Sequence, residues 1–135
     1  MGVHATGIRI LAVDQNSLLR EGLSLLIRLQ SDMELVDAVA SAEEGVQSFM
    51  RHRPDVILMD IDLPLAAGVQ AIRRIIEIDP LACLLALSTY EEDDTRRQAM
   101  RAGARTCLAK DRLNKELIPL VRSFHSSPGS RPPSE

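Results

Sequence analysis

The pattern that most constrains this chain is a fivefold alternation of short apolar runs with segments of helical periodicity. In a helical segment such as 18–29, apolar residues recur on one stripe at Leu19, Leu23, Leu26 and Ile27. This alternation predicts a parallel sheet with helices on both faces, whose strands should be continuously apolar. The predicted strands are 8–13, 35–40, 56–60, 82–88 and 106–109. The predicted helices are 18–29, 41–52, 68–80, 89–103 and 114–124; Ser41 and Thr89 should open capping boxes and Gly103 should end the fourth helix.

Polar side chains stand where four of these strands end. Asp14, Asp60 and Ser88 close the first, third and fourth strands, and Lys110 follows the fifth. Because parallel strands end on the same side of a sheet, we expect the four groups to converge at one edge. An aspartate there can accept a phosphoryl group to form an aspartyl-phosphate. Carboxylates can hold Mg²⁺, a lysine adds positive charge, and a serine hydroxyl can donate to a phosphoryl oxygen.

The length of 135 residues predicts one domain. We expect that domain to cover residues 8–125 after a short N-terminal lead at 1–7. Residues 126–135 are rich in serine and proline and cannot pack a core. They are therefore predicted to be a linker or a disordered tail.

Composition excludes several classes of function. The net charge of −3 lacks the basic excess of a nucleic-acid surface, and three aromatic residues are too few for base stacking. No apolar stretch is long enough to cross a bilayer and no signal peptide is recognisable, so a cytoplasmic location without membrane contact is expected. Cys83 and Cys107 lie in apolar runs and are expected to be reduced, buried thiols. We assign the three histidines no role.

With these features the chain resembles a known family, the receiver domains of two-component response regulators, in the subgroup of LuxR-type transcription regulators. The resemblance covers residues 8–124. The matching stretches are ILAVD (10–14), LREGL (19–23), RPDVILMDI (53–61), LSTY (87–90), RAGA (101–104) and LAKD (108–111). It implies a flavodoxin-like, doubly wound (βα)5 three-layer sandwich with a parallel five-stranded sheet in the order 2-1-3-4-5.

The resemblance also implies roles for individual residues. Asp60 would take a phosphoryl group from a sensor histidine kinase, Ser88 would be the hydroxyl switch, and Lys110 the cationic partner. Asp14 would be the first acid of a Mg²⁺ pocket, and Asp62 would supply a backbone carbonyl to it. The domain would be a signalling module rather than an enzyme, and a homodimer is expected. DNA would be bound only through an effector domain that these residues do not contain.

Four features depart from the family pattern. Gln15 stands where a second acid is usual, so it can offer Mg²⁺ an amide oxygen but no charge, and metal affinity should fall. The turn after Pro64 reads Leu-Ala-Ala-Gly where the family has Gly-x-Asp-Gly. Cys107 replaces a switch aromatic, and Pro119 should kink or delay the last helix.

The loss of charge at Gln15 leaves two alternatives open. In the first, the domain still accepts phosphate but weakly; the Asp62 carboxylate then either restores part of the charge near the metal or points to solvent. In the second, the domain is an atypical receiver that acts without phosphorylation, as a dimerisation or interaction module.

A more remote alternative is a phosphohydrolase of the haloacid-dehalogenase type. Asp60-Ile61-Asp62 fits the Asp-x-Asp motif of those enzymes, but their nucleophile usually ends the first strand rather than the third. Turnover of a generic phosphatase substrate would favour the hydrolase. A single covalent phosphoryl group without turnover would favour the receiver.

Overall fold

The computed structural model describes residues 7–89 and 94–126. Five strands and five helices alternate within them. The strands are β1 (Ile8–Val13), β2 (Met33–Val39), β3 (Val56–Asp60), β4 (Leu84–Ser88) and β5 (Thr106–Ala109). The helices are α1 (Ser17–Arg28), α2 (Ala42–His52), α3 (Ala67–Ile78), α4 (Asp94–Ala102) and α5 (Leu113–Ser126), with short 3₁₀ turns at Pro64–Ala66 and Lys110–Arg112.

The sheet is parallel throughout, and its strand order is β2-β1-β3-β4-β5, as predicted. Its register aligns Val13 with Met59, Asp60 with Leu87, and Ser88 with Ala109. The ends of the central strands are therefore level with one another. This register places Asp14, Asp60, Ser88 and Lys110 along a single edge of the sheet.

Two apolar clusters lie on opposite faces of the sheet and make the fold three-layered. On one face, α2 and α3 contribute buried residues such as Phe49 and Ile72; on the other, α1 and α5 contribute residues such as Ile27 and Leu117. Every residue of β3 and β4 is buried. Successive strand side chains point to opposite faces, so both clusters require apolar residues and these two central strands show no alternation of apolar and polar residues.

Helix starts follow from capping side chains. Asn16 caps α1 by accepting hydrogen bonds from the amides of Leu18 and Leu19 at 2.9 and 3.2 Å. The predicted capping box of α2 is present: Ser41 Oγ accepts from the Glu44 amide at 3.1 Å, while Glu44 Oε1 accepts from the Ala40 amide at 3.3 Å. The second predicted box, at 89–92, lies mostly outside the described residues.

The ends of several elements differ from the prediction. β2 begins at Met33, two residues early, and β4 begins at Leu84, two residues late. α4 ends before Gly103, as predicted. This glycine has a φ of +129°, a backbone conformation that residues with a Cβ atom rarely adopt.

The predicted delay of the last helix at Pro119 is wrong. α5 begins at Leu113 and runs through Pro119 to Ser126. Proline removes its own amide from the helical hydrogen bonds and crowds the carbonyl four residues earlier. Pro119 lies on the exposed side of the helix. The neighbouring Leu117, Ile118 and Val121 are buried against the sheet and keep the helix docked.

Candidate functional site

The carboxyl edge of the sheet gathers three acidic side chains around one lysine. The Lys110 Nζ atom lies 3.0 Å from Asp60 Oδ1, 3.0 Å from Asp14 Oδ2 and 3.5 Å from Asp62 Oδ2. Asp14 and Asp60 are fully buried, whereas the Lys110 side chain keeps 18% of its surface exposed. Sequence reasoning placed these residues at one edge, and the structure brings them into direct contact.

Ser88 is the last residue of β4 and is also fully buried. The register pairs it with Ala109, the residue before Lys110, and pairs Asp60 with Leu87, the residue before Ser88. A hydroxyl group therefore stands at the same rim as the carboxylate and ammonium groups.

The two oxygens of Asp60 differ in their environment. Oδ1 accepts hydrogen bonds from the Asp62 amide at 2.8 Å and from Lys110 Nζ at 3.0 Å. Oδ2 is buried and has no hydrogen-bond partner among the described residues. A buried carboxylate oxygen without a donor is energetically unfavourable, and such an atom is free to bond to an incoming electrophile.

Burial and pairing act in opposite directions on the charges of this site. Burial raises the pKa of the Asp60 carboxyl above its ordinary value, although the hydrogen bonds from Lys110 and the Asp62 amide oppose the rise. Burial would lower the pKa of Lys110, but its hydrogen bonds and charge contacts with Asp14 and Asp60 together raise it. Lys110 is therefore held in its ammonium form beside two carboxylates.

The Asp62 side chain is held by hydrogen bonds and does not point to solvent, so the second of the two alternatives for this carboxylate is wrong. Its Oδ2 atom accepts hydrogen bonds from the Thr89 amide at 2.8 Å and from Thr89 Oγ1 at 2.7 Å. The side chain remains 21% exposed. Its Oδ2 atom lies 3.5 Å from Lys110 Nζ, at the same edge as Asp14 and Asp60. That Asp62 restores charge near a bound metal stays a prediction.

Asp14 is fixed by its own loop and by α1. Its Oδ1 atom accepts from the Asn16 amide at 2.9 Å, and its backbone carbonyl accepts from Arg20 Nη1 at 2.7 Å. Gln15, which lies between Asp14 and Asn16 in the chain, is exposed. The sequence did not predict the hydrogen bond from Arg20 to Asp14 or the hydrogen bonds between Asp62 and Thr89. The signal available was that Arg20, Asp62 and Thr89 each lie close in sequence to a polar residue at the end of a strand.

The carboxylate donors at this edge are of the kind that binds Mg²⁺ in proteins. Asp14 and Asp60 supply two buried carboxylates. The Oδ2 atom of each lacks a hydrogen-bond partner among the described residues, although Asp14 Oδ2 lies 3.0 Å from Lys110 Nζ as an ion pair. Within the described ranges, no group of three or more acidic, histidine or cysteine side chains is arranged to hold a metal. Mg²⁺ is commonly held by one or two carboxylates with waters and phosphate oxygens, so two carboxylates suffice when a phosphoryl group is present.

The loop after β3 is tightly packed against Asp60. A Cβ atom on Gly68 would lie 2.1 Å from the Asp60 carbonyl oxygen, so only glycine fits there. Leu65 stands where the family has glycine. Leu65 and Ala66 have φ angles of 59° and 56°, in the left-handed region that favours glycine. Leu65 is 93% exposed. This loop sets the position of the acceptor and carries backbone strain.

Comparisons with known proteins agree with this geometry. The family model described as "Response regulator receiver domain" matches residues 10–122. The oxygen regulatory protein NreC of Staphylococcus carnosus is 32% identical over 119 residues, which cover 87% of this chain and 55% of NreC. The transcriptional regulatory protein YxjL of Bacillus subtilis is 32% identical over 116 residues, covering 86% of this chain and 53% of YxjL.

Solved structures show the same likeness. A two-component response regulator of the LuxR family from Aurantimonas has a TM-score of 0.81 and 28% identity, and the match covers 87% of this chain and 84% of that one. The CheX–CheY–BeF3–Mg complex of Borrelia burgdorferi has a TM-score of 0.72 at 19% identity, covering 84% and 88% of the two chains, which shows a common fold. This chain spans about half the length of the curated relatives it matches.

Proposed function

This chain belongs to the response regulator receiver domain family, as a LuxR-type member, and on that premise we propose that Asp60 accepts a phosphoryl group from a sensor histidine kinase. A receiver is a signalling domain and not a classical enzyme. The covalent change on Asp60 would switch an output that regulates transcription.

The observation that carries this proposal is the unpartnered Oδ2 atom of Asp60, buried next to the Lys110 ammonium. In the proposed step, this oxygen attacks phosphorus on a phosphohistidine. The P–N bond breaks, the imidazole leaves with the electron pair and takes up a proton, and an acyl-phosphate remains on Asp60. Phosphoryl transfer needs mainly positioning and charge stabilisation, and the buried edge of the sheet provides both.

Each neighbouring group has a distinct proposed part in this step. Lys110 neutralises charge on the transferred phosphoryl oxygens, because its ammonium already contacts the acceptor at 3.0 Å. The Ser88 hydroxyl, at the same rim, donates to a phosphoryl oxygen once the group is in place. Mg²⁺, held by Asp14, Asp60, the Asp62 carbonyl and Gln15, would neutralise further charge when bound.

The output belongs to the rest of a longer regulator. The matching relatives are about twice as long as the matched region and are named as regulatory proteins. We expect DNA to be bound by an effector domain outside the described residues, and the receiver to form a homodimer. Among the helices that the structure describes, none is long and apolar enough to cross a membrane.

The test is intact-protein mass spectrometry after treatment with acetyl phosphate and Mg²⁺. Wild type should gain one phosphoryl group, and Asp60→Ala should gain none. Asp111→Ala, which removes an exposed acid beside Lys110, is the matched control and should gain one group. A wild type without any adduct would contradict the proposal and favour the interaction module, and sustained hydrolysis of a generic phosphatase substrate would favour the phosphohydrolase.

A further inference from the structure

One edge of the sheet is open along a whole strand. β2 is the first strand in the order β2-β1-β3-β4-β5, and among the described strands β1 alone pairs with it. β2 has seven residues, of which 35–39 are half-buried, whereas the strand at the other edge, β5, has four. An edge strand presents amide and carbonyl groups that can pair with a strand of another molecule. We call the outer side of Met33–Val39 the β2 edge.

The sequence of the β2 edge favours such pairing. Residues 35–40 read Leu-Val-Asp-Ala-Val-Ala, an apolar run with two β-branched residues, no proline and one charge, on Asp37. Short segments of high strand propensity and low charge associate readily with one another. A single charged residue within such a segment opposes this association.

A β-bulge and a buried hydrogen bond fix the Asp37 side chain against α2. The pairing with β1 shifts by one residue between Leu35 and Asp37, so Val36 is the extra residue of the bulge. Asp37 Oδ2 accepts a hydrogen bond from the buried Ser48 Oγ at 2.6 Å, and His52 Nε2 lies 3.8 Å from the same oxygen. Bulges and inward-pointing charges are two features by which edge strands avoid pairing with other chains.

The other oxygen of this carboxylate occupies an amide of the β2 edge. Asp37 Oδ1 accepts a hydrogen bond from the Ala38 amide at 3.0 Å. The next residue, Val39, turns its carbonyl towards β1 and accepts there from the Asp14 amide at 3.0 Å. Because the backbone groups of successive strand residues point to opposite sides, those of Ala38 point to the open side. One of the donors that an added strand would need is therefore already bonded.

A second copy of this chain is the partner that Asp37 excludes most strongly. Two β2 strands can pair antiparallel about a two-fold axis, which uses the same edge of both molecules. When this pair is centred on Val36, the middle residue of the strand, each Asp37 lies diagonally across from the Asp37 of the other copy. Diagonal neighbours are about 7–8 Å apart, so two like charges meet at short range.

We infer that the β2 edge is a latent self-association surface, which pairs with the same edge of a second copy when Asp37 is removed. In the wild type, Asp37 prevents this pairing through its negative charge and through its hydrogen bond with the Ala38 amide. The inference concerns a different part of the sheet from the acceptor site and does not depend on phosphorylation of Asp60.

The experiment measures self-association of wild type, Asp37→Ala, Asp37→Asn and Ser48→Ala by sedimentation equilibrium over a range of protein concentrations. Asp37→Ala removes the charge and frees the Ala38 amide, so it should associate at least about tenfold more tightly than wild type. Asp37→Asn keeps an oxygen for that amide but loses the charge, and should lie between the two. A dimer formed through another face would give the same baseline in all four proteins.

Ser48→Ala is the matched control for lost stability. It removes the same Ser48–Asp37 hydrogen bond as Asp37→Ala, but it keeps the carboxylate and its contact with the Ala38 amide. Urea unfolding should show a comparable loss in the free energy of unfolding for both variants. Ser48→Ala should nevertheless associate no more tightly than wild type.

Hydrogen exchange locates the contact. In dilute Asp37→Ala, the Ala38 amide should exchange faster than in wild type because it has lost its acceptor. At concentrations where the variant associates, exchange within residues 33–39 should slow down, because a second strand bonds the outward-facing amides. Wild type should show neither change.

Two results would overturn the inference. The first is self-association of Asp37→Ala and Asp37→Asn that is no tighter than that of wild type, or that Ser48→Ala matches, because lost stability would then be the cause. The second is association of Asp37→Ala in which the slowed exchange falls outside residues 33–39. If Asp37→Ala does not fold, Asp37→Asn decides by the same two criteria.

Discussion

Asp14 and Asp60 are two fully buried carboxylates that depend on one lysine for their counter-charge. Burying charge is unfavourable unless every group is paired, and here one oxygen of Asp60 is left without a donor. The buried, partly unpaired Asp60 therefore lowers the free energy of unfolding, as residues at functional sites commonly do. The consequences can be measured on single substitutions.

The replacement of the usual second acid by Gln15 predicts weak Mg²⁺ binding. Gln15→Asp restores a charged ligand and should strengthen Mg²⁺ binding on the order of tenfold. Titration followed by NMR or calorimetry measures this. Gln47→Asp adds the same charge on the exposed face of α2 and should leave affinity unchanged. Equal affinities of wild type and Gln15→Asp would show that this position does not contact the metal.

The raised pKa of Asp60 predicts how stability depends on pH. The folded state binds the Asp60 proton more tightly than the unfolded state does. The free energy of unfolding therefore falls as the pH rises from about 4 through the raised pKa, where folded Asp60 becomes ionised. Asp60→Asn should therefore be more stable than wild type at neutral pH.

This gain should shrink as the pH falls through the raised pKa and should vanish below about pH 4, where Asp60 is protonated in both states. Urea unfolding of both proteins across this pH range measures the difference, and Asp111→Asn, at an exposed acid, should show no such gain. A loss of stability in Asp60→Asn at neutral pH, or a gain that does not vary with pH, would contradict the assigned cause.

At the scale of elements, the β3–α3 loop shows most clearly where local sequence and required geometry disagree. Leu65 and Ala66 both occupy the left-handed region that favours glycine, and Gly68 must remain glycine because of the Asp60 carbonyl. The departure from the family turn is visible in the sequence, but its consequence is not, because φ angles cannot be read from residue types alone.

The strain at Leu65 predicts a stabilising substitution. Leu65→Gly removes a side chain that is 93% exposed and relieves a φ of 59°, so it should raise the free energy of unfolding by about 1 kcal/mol. Leu65→Ala retains the Cβ atom and should change stability little. Denaturant unfolding measures both, and a Leu65→Gly variant that is no more stable than Leu65→Ala would show that the backbone is not strained there.

At the scale of the whole molecule, the strand order makes one site from distant segments. The alternation of apolar and helical segments predicted the strands closely, because strands buried on both faces leave a continuous apolar signal. The meeting of Asp14, Asp60 and Lys110 followed from parallel topology. The contact between Asp62 and Thr89 did not, because it joins side chains 27 residues apart whose orientation depends on packing. The path of α5 through Pro119 likewise depends on which side of the helix the sheet buries.

The most direct test of the account is to locate the phosphoryl group. After treatment with acetyl phosphate and Mg²⁺, borohydride reduces an acyl-phosphate to an alcohol, which leaves homoserine in place of the modified aspartate. Peptide mass spectrometry then identifies the position. The account predicts this change at Asp60 and nowhere else in the chain; modification of another acid, or unmodified Asp60 in protein that has gained a phosphoryl group, would contradict it.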